Sequence, residues 1–381
     1  MNCTGPLHGY RVVEFAGKGP GPLCGMLLGD MGAEVIRIER PVERTSGRQQ
    51  SDEALDIVHR NRRSVVLDLR QPQARIAALR ITALADGLIE GFRPGVMERL
   101  GLGPETCLSA NPRLVYGRVT GWGQTGPLAA RAGHDINYLG LTGALHAIGP
   151  RDGAPVPPLN LVADNGGGAM YLAFGLVCGL LEAKKSGQGQ VIDVAMTDAV
   201  SSLMTPIHGI YNAGMWQDRR GANLLDGGAP FYGVYETRDG GYMAVGPIEP
   251  AFFAEFIQRL GLPEGEFAER MNPANWPAHG ILIQAAFRQK TRAEWEAVFE
   301  GTDACVTPVL SLSEAPKHPH NQARGTFAEV NGVVQPAVAP RFSRTPGAVR
   351  SAAPQAGADG RAVLEEVGFT PQEIDGLLEA V

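Results

Sequence analysis

Tyr10-Arg11-Val12-Val13-Glu14-Phe15, then Gly17-Lys18-Gly19-Pro20-Gly21-Pro22, then Ala33-Glu34-Val35-Ile36-Arg37-Ile38-Glu39 is the stretch that decides the fold class. Its outer pieces are short runs rich in β-branched residues, and the glycine turn between them leads into a helical stretch from Leu23 to Met31. Strand, turn, helix, strand in so short a span is a βαβ unit, and such a crossover makes the two strands parallel. The rhythm continues with a strand at Ser64–Leu69, a helix at Gln73–Ala85, a short strand at Gly87–Glu90, a helical turn at Val96–Leu100 and a strand at Leu114–Val119. The expectation is a large doubly wound parallel-sheet domain of the α/β class, with functional residues on loops at the strand ends.

A chain of 381 residues exceeds one ordinary core and should divide. After a strand at Val191–Val194 and a helix at Thr197–Met204 the texture changes. Residues 1–204 read as the first part of the large domain, 205–228 as a glycine-rich linker, and 229–321 as a smaller α+β domain. In the last of these Phe231 to Val245 is antiparallel in character, turning at Asp239-Gly240-Gly241, and helices are expected at Ala251–Leu260, His279–Lys290 and Arg292–Phe299. Residues 322–381 read as a return segment completing the large domain, ending in a helix from Asp359 to Val367 and another after Pro371.

Composition narrows the function. A net charge of −6 argues against nucleic acid as a partner. The longest apolar run, Ala169 to Leu181, is too short to span a bilayer and reads as a buried core helix. Five cysteines, with no CxxC pair and no His-rich spacing, argue against a disulfide framework or a zinc site and fit a reducing cytoplasm. The N-terminus carries no signal pattern and the C-terminus no peroxisomal tail, which gives the same expectation. The glycine turn lacks the spacing of a dinucleotide fingerprint, and Arg40 follows Glu39 where a ribose-binding acid would end the second strand, so a nicotinamide site is not expected. No Walker motif, GxSxG elbow or HExxH is present.

Three residues stand out as an acid/base set. His134, in Gly133-His134-Asp135-Ile136-Asn137-Tyr138, follows a strand, has no apolar face around it, and as a neutral imidazole is a competent general base near neutral pH. Asp135, next in the chain, should point away from it, which leaves Glu249, between Pro247-Ile248 and Pro250-Ala251, as the better carboxylate to orient the imidazole. Asp164 precedes Asn165-Gly166-Gly167-Gly168. It reads either as an ordinary helix N-cap or as a ligand-facing acid beside a backbone that can approach a substrate closely and stabilise an oxyanion. Arg40, the group from Arg60 to Arg63, and Arg99 are candidate phosphate binders. Of 34 basic residues only five are Lys (Lys18, Lys184, Lys185, Lys290, Lys317), so residues 37–70 are an Arg-dominated stretch suited to a phosphorylated handle.

With these residues in place the chain resembles the α-methylacyl-CoA racemases, within the family III CoA-transferase fold group, from about residue 6 to 345. The resemblance rests on Gly121-Trp122-Gly123-Gln124-Thr125-Gly126-Pro127, Gly133 to Tyr138, Pro158-Leu159-Asn160-Leu161, Leu225 to Tyr232, Ala244 to Pro250 and Asp303 to Val309. It implies that His134 and Asp164 are the two catalytic bases, with Glu249 paired to His134. It implies CoA or acyl-CoA contacts from Arg40, Leu67, Asp68, Leu69, Arg70, Arg99, Gly133, Asp135, Ile136, Asn137 and Tyr138. It implies, too, an interlocked homodimer whose active site joins the large domain of one subunit to the small domain of the other. Asn165 and Pro247 depart from the family's usual aromatic and Ala, a difference expected to alter acyl-chain preference.

The implied reaction is α-proton abstraction from a 2-methylacyl-CoA and its return from the other face, with Gly166, Gly167 and Gly168 as an expected oxyanion turn. It needs no cofactor, coenzyme A being part of the substrate. The alternative enzyme is a family III CoA-transferase in which Asp164 attacks the acyl group as a nucleophile, a chemistry with no need of His134 and Glu249. A non-catalytic acyl-CoA binder would keep the arginines but tolerate loss of the acid/base set.

Overall fold

A computed structural model describes residues 5–41 and 56–379. Cys3, residues 42–55 of the Arg-dominated stretch, and the last two residues lie outside the described residues. The chain forms two compact units. The first comprises Met1–Leu141, Leu159–Leu203 and Pro319–Val381, and the second comprises Thr142–Pro158 and Met204–His318.

The first unit is built on six parallel strands: β1 (Arg11–Phe15), β2 (Glu34–Glu39), β3 (Arg62–Val66), β4 (Gly87–Glu90), β5 (Val115–Thr120) and β6 (Gln190–Ala195). Their order is β3-β2-β1-β4-β5-β6, and every pairing is parallel. Side chains alternate along a strand, so neighbouring residues feed opposite faces. Val13, Ile36, Val65, Leu88 and Tyr116 pack with α2 (Pro72–Ala83) and the C-terminal helices Gly360–Glu366 and Pro371–Glu379. Val12, Val35, Ile89 and Val115 pack on the other face with α1 (Pro20–Asp30) and the Tyr171–Ser186 helix. Helices on both faces of a parallel sheet are the doubly wound layout, and the return segment completes it.

Buried ion pairs sit inside these layers, and the pair on β1 is fully enclosed. Glu14 on β1 accepts from Arg62 Nε and Nη2 at 3.1 Å each, with both side chains fully buried. Gly25 on α1 is required there, because a Cβ would lie 2.5 Å from the Glu14 carboxylate. Cys24 beside it has its thiol pushed well above the usual range, by burial first and by the Glu14 charge second, and is therefore inert.

The stretch Leu161–Ser186 is one continuous helical run, long and apolar enough by length and composition to cross a membrane. Leu172, Leu176 and Leu180 are buried against the sheet, whereas Met170, Phe174 and Leu181 are 53%, 69% and 63% exposed. The expectation of a fully buried core helix is thus half right, because the sheet covers only one side of it.

The second unit has a three-stranded antiparallel sheet, β7 (Gly233–Glu236), β8 (Tyr242–Val245) and β9 (Val306–Pro308), over an aromatic core of Phe231, Phe253, Phe256, Phe287, Trp295 and Phe299. Residues 205–228, expected to be a linker, are built into this unit and contain a helix at Thr205–Asn212. Arg220 donates to the carbonyls of His146, Pro150 and Gly153, and Arg151 donates to Gly221, so 142–158 folds with this segment and not with the large domain. Backbone carbonyls reached by distant arginines leave no local sequence signal.

Candidate active site

Because all six strands run the same way, their carboxyl ends share one edge, and the order reverses between β1 and β4, where such folds bind ligands. The glycine turn Gly17–Gly21 leaves β1 there, Arg40 leaves β2, Leu67–Arg70 leaves β3, Gly91–Arg93 leaves β4, and Gly121 leaves β5.

His134 stands in extended backbone at the end of the segment after β5, where it is the N-cap residue of a helix, α3 (Asp135–Gly140). Its backbone N–H donates to Asn137 Oδ1 at 3.0 Å, and the residue itself is exposed. Asp135 is 7% exposed, and its Oδ2 accepts from the backbone N–H of Ala163 at 2.9 Å and of Asp164 at 2.8 Å. The expected substrate contact at Asp135 is therefore not what its carboxylate does: it fastens the backbone of Asp164 to the helix that His134 begins. Ile136 and Asn137 are exposed on the same turn. Tyr138 is buried, donates to the Gly133 carbonyl and stacks edge-on with Trp122 at 4.8 Å.

This packing explains two glycines of the sequence motifs. A Cβ on Gly121 would lie 2.0 Å from the Tyr138 ring, and one on Gly133 would lie 2.7 Å from it. Gly121→Ala should lower thermal stability by about 1–3 kcal/mol, the usual cost of overpacking, and should displace the helix that carries His134. A melting curve equal to that of the parent protein would refute this account.

Asp164 lies in a π-helical turn, Leu161–Met170, that continues into the Tyr171–Ser186 helix. Its carboxyl is raised above the ordinary range. Burial is the main cause and the Asp135 charge adds to it, while a hydrogen bond from Asn160 and the nearby His134 pull it back. A carboxyl poised in this way is both a better base when ionised and an available acid when protonated.

The glycines after Asp164 serve packing, not the expected oxyanion turn. Gly166, Gly167 and Gly168 lie inside the π-helical turn, where amides are taken up by the helix itself. A Cβ on Gly168 would lie 2.6 Å from Pro20, and one on Gly167 would lie 3.1 Å from Val200. The backbone that faces Asp164 is instead the start of α1. Gly19, with φ of +72°, would place a Cβ 3.9 Å from the Asp164 carboxylate. Pro20 and Pro22 have no N–H, so the first turn of α1 presents the amides of Gly19 and Gly21 alone.

Of the expected CoA contacts, Arg40, Arg70 and Arg99 are exposed at the edge described above. Asp68 is held by Arg70 at 2.8 Å, which keeps its carboxyl below the usual range. Leu67 is a core residue whose side chain is fully buried, so it can offer a ligand only its backbone, and Leu69 is half-buried. The residues at 60, 62 and 63, also considered as phosphate binders, are structural. Arg60 is buried against Asp30 at 2.6 Å, Arg62 against Glu14, and Arg63 pairs with Glu34 and Glu366. Sequence reading missed Arg93, which leaves β4 at the switch point and holds down the phenol of Tyr138 while burial raises it. A basic residue directly after a short strand was the available signal.

Glu249 belongs to the second unit, where it is the exposed N-cap residue of the Pro250–Leu260 helix. Its charge is felt by Arg270, whose guanidinium is lodged over the Phe231 and Phe253 rings and donates to the Ile248 carbonyl at 2.7 Å.

The model of CoA-transferase family III matches residues 7–360. The α-methylacyl-CoA racemase of Mus musculus is 46% identical over 371 residues, covering 97% of this chain and 95% of that protein, and the Homo sapiens enzyme of the same name is 43% identical over the same shares. Among solved structures, a CaiB/BaiF family protein from Brucella suis superposes with a TM-score of 0.82 at 28% identity, covering 96% of this chain and 100% of that one. The chain belongs to CoA-transferase family III.

Proposed function

We propose that this protein is a racemase of 2-methylacyl-CoA thioesters, moving the α-proton between His134 and Asp164 through an enolate. The observation that carries this reading is the Asp135 bracket, which fixes a carboxylic acid and an imidazole on adjoining backbone. Inversion at carbon needs one group to remove the proton and a second, on the opposite face, to return it. A thioester acidifies its α-carbon only partly, so the enolate oxygen must also be stabilised. The amides of Gly19 and Gly21 at the start of α1 are suited to that, being donors at a helix N-terminus beside Asp164. The mouse and human relatives named as α-methylacyl-CoA racemases support the same reaction.

The CoA handle is assigned to Arg40, Leu67–Arg70, Arg93, Arg99 and the Gly133–Tyr138 turn, which share the carboxyl edge of the sheet. The working unit is an interlocked homodimer in which Glu249 of one subunit orients His134 of the other. The exposed apolar face formed by Met170, Phe174 and Leu181 suits burial in such a partner. The thiols of Cys24, Cys107, Cys178 and Cys305 are free, which fits a cytoplasmic protein.

The test is proton NMR of an (S)-2-methylacyl-CoA incubated with the enzyme in heavy water. Loss of the α-proton with appearance of both epimers is the expected result. An intact α-proton, with CoA passing to an added carboxylate, would replace this reading with acyl transfer through Asp164.

A further inference from the structure

Pro247-Ile248-Glu249-Pro250 has little backbone freedom of its own. Each proline fixes its own φ and lacks an N–H. Pro250 also confines the residue before it to extended backbone, which is where Glu249 stands, with φ of −70° and ψ of 146°. The rotation left open is that of the peptide joining Ile248 to Glu249. The carbonyl of that peptide accepts from Arg270 Nη2 at 2.7 Å, and among the described residues no other side chain hydrogen-bonds residues 247–250.

Arg270 is itself anchored. Its backbone N–H donates to the Phe267 carbonyl at 3.0 Å, and its own carbonyl accepts from the Trp276 indole at 2.8 Å. The guanidinium lies 4.9 Å from the Phe231 ring centre and 4.6 Å from that of Phe253, two rings of the buried aromatic core. Such a seat is unfavourable for a cation. Burial lowers the guanidinium below its usual range, the Glu249 charge pulls it back, and Nη1 has no hydrogen-bond partner among the described residues. A Leu or Met would lie against the rings with no charge to desolvate. Packing therefore does not explain the cation. What it does that an apolar side chain could not is grip the Ile248 carbonyl and attract the Glu249 carboxylate.

Glu249 must aim its carboxylate in one direction to pair with His134 of the other subunit, and its side chain makes no helix-cap bond that would aim it. We infer that Arg270 is the positioning residue for Glu249: by clamping the Ile248–Glu249 peptide it sets the direction in which that carboxylate meets the imidazole. This deepens the racemase reading and rests on it.

The experiment measures epimerisation of 2-methyloctanoyl-CoA by Arg270→Met, Glu249→Gln and the double variant. Met keeps an apolar stem against the two rings while removing the fork. Arg270→Met should lower kcat about 10–100-fold with KM unchanged, since a displaced catalytic group loses rate and not binding. On the Glu249→Gln background the same substitution should have little further effect, and Arg270→Lys should recover part of the loss. A merely structural defect would add its full loss on either background. Arg270→Gln, neutral and too short for the clamp, takes the place of the Met variant in this cycle if that variant fails to fold. Parental kcat without Arg270, or a loss that multiplies with that of Glu249→Gln, would overturn the inference and leave Glu249 in its role. A Glu249→Gln enzyme as fast as the parent would overturn both. If the parent protein epimerises nothing, the racemase reading falls and crystallography decides the clamp: the Ile248–Glu249 peptide should be turned in Arg270→Met, and an unmoved peptide overturns it.

Discussion

Asp164→Asn will slow epimerisation of a 2-methylacyl-CoA by about 10²–10⁴-fold, the usual contribution of a positioned acid or base. The substitution keeps shape and hydrogen-bonding capacity while removing the group that titrates. The Asp135 bracket holds the backbone N–H of residue 164, not its side chain, so the turn survives. The carboxyl is raised by burial, meaning that the fold carries the ionised form at a cost above that pKa. Replacing it with a neutral amide removes the cost, and the melting temperature near neutral pH should stay level or rise. The variant will not be silent in heavy water. His134 remains, so the epimer whose α-proton faces the imidazole should still exchange with retention of configuration, while the other epimer is inert. In the parent protein, kcat/KM for the epimer that Asp164 deprotonates should fall with acid through a pKa above the ordinary carboxylate range. Equal exchange of both epimers by the variant would remove Asp164 from the reaction.

The parts of this site that were legible in sequence are those encoded locally. The βαβ pattern of residues 10–39 led directly to the parallel sheet, because hydrophobic runs and glycine turns report on backbone geometry alone. His134 and Asp164 stood out because a titratable side chain beside glycine in a turn after a strand can meet a ligand that the backbone lets approach closely. What sequence reading misjudged depends on neighbours far along the chain. The triple glycine reads as an anion cradle, yet Pro20 and Val200 occupy the space where side chains would be. Arg60 and Arg62 read as phosphate ligands, yet Asp30 and Glu14 already neutralise them. Asp135 reads as pointing away from His134 toward a ligand, yet its carboxylate caps a turn 28 residues away.

His134→Ala should reduce epimerisation by a similar factor, about 10²–10⁴, and its residual exchange should have the opposite handedness. The helix start is held by groups that Ala keeps: the backbone N–H of residue 134 donates to Asn137 Oδ1 and its carbonyl accepts from the Asn137 N–H at 2.8 Å, so Ala is tolerated at this exposed site. With Asp164 intact, the variant should wash out the α-proton only of the epimer that Asp164→Asn leaves inert. The two single variants therefore make mirror-image predictions, and a stability defect common to both cannot imitate them. The double variant should exchange neither epimer, and its loss should be smaller than the product of the single losses, because the two groups act in one proton relay. Acyl transfer predicts a different pattern: Asp164→Asn abolishes transfer of CoA to an added carboxylate, whereas His134→Ala leaves it largely intact. Chirally resolved NMR of both epimers across the three variants thus assigns each base to a face of the substrate. Exchange of the same epimer in both single variants would put both groups on one face of the substrate and overturn two-sided inversion, whereas loss of all exchange in one single variant, with the other unaffected, would mean a single base.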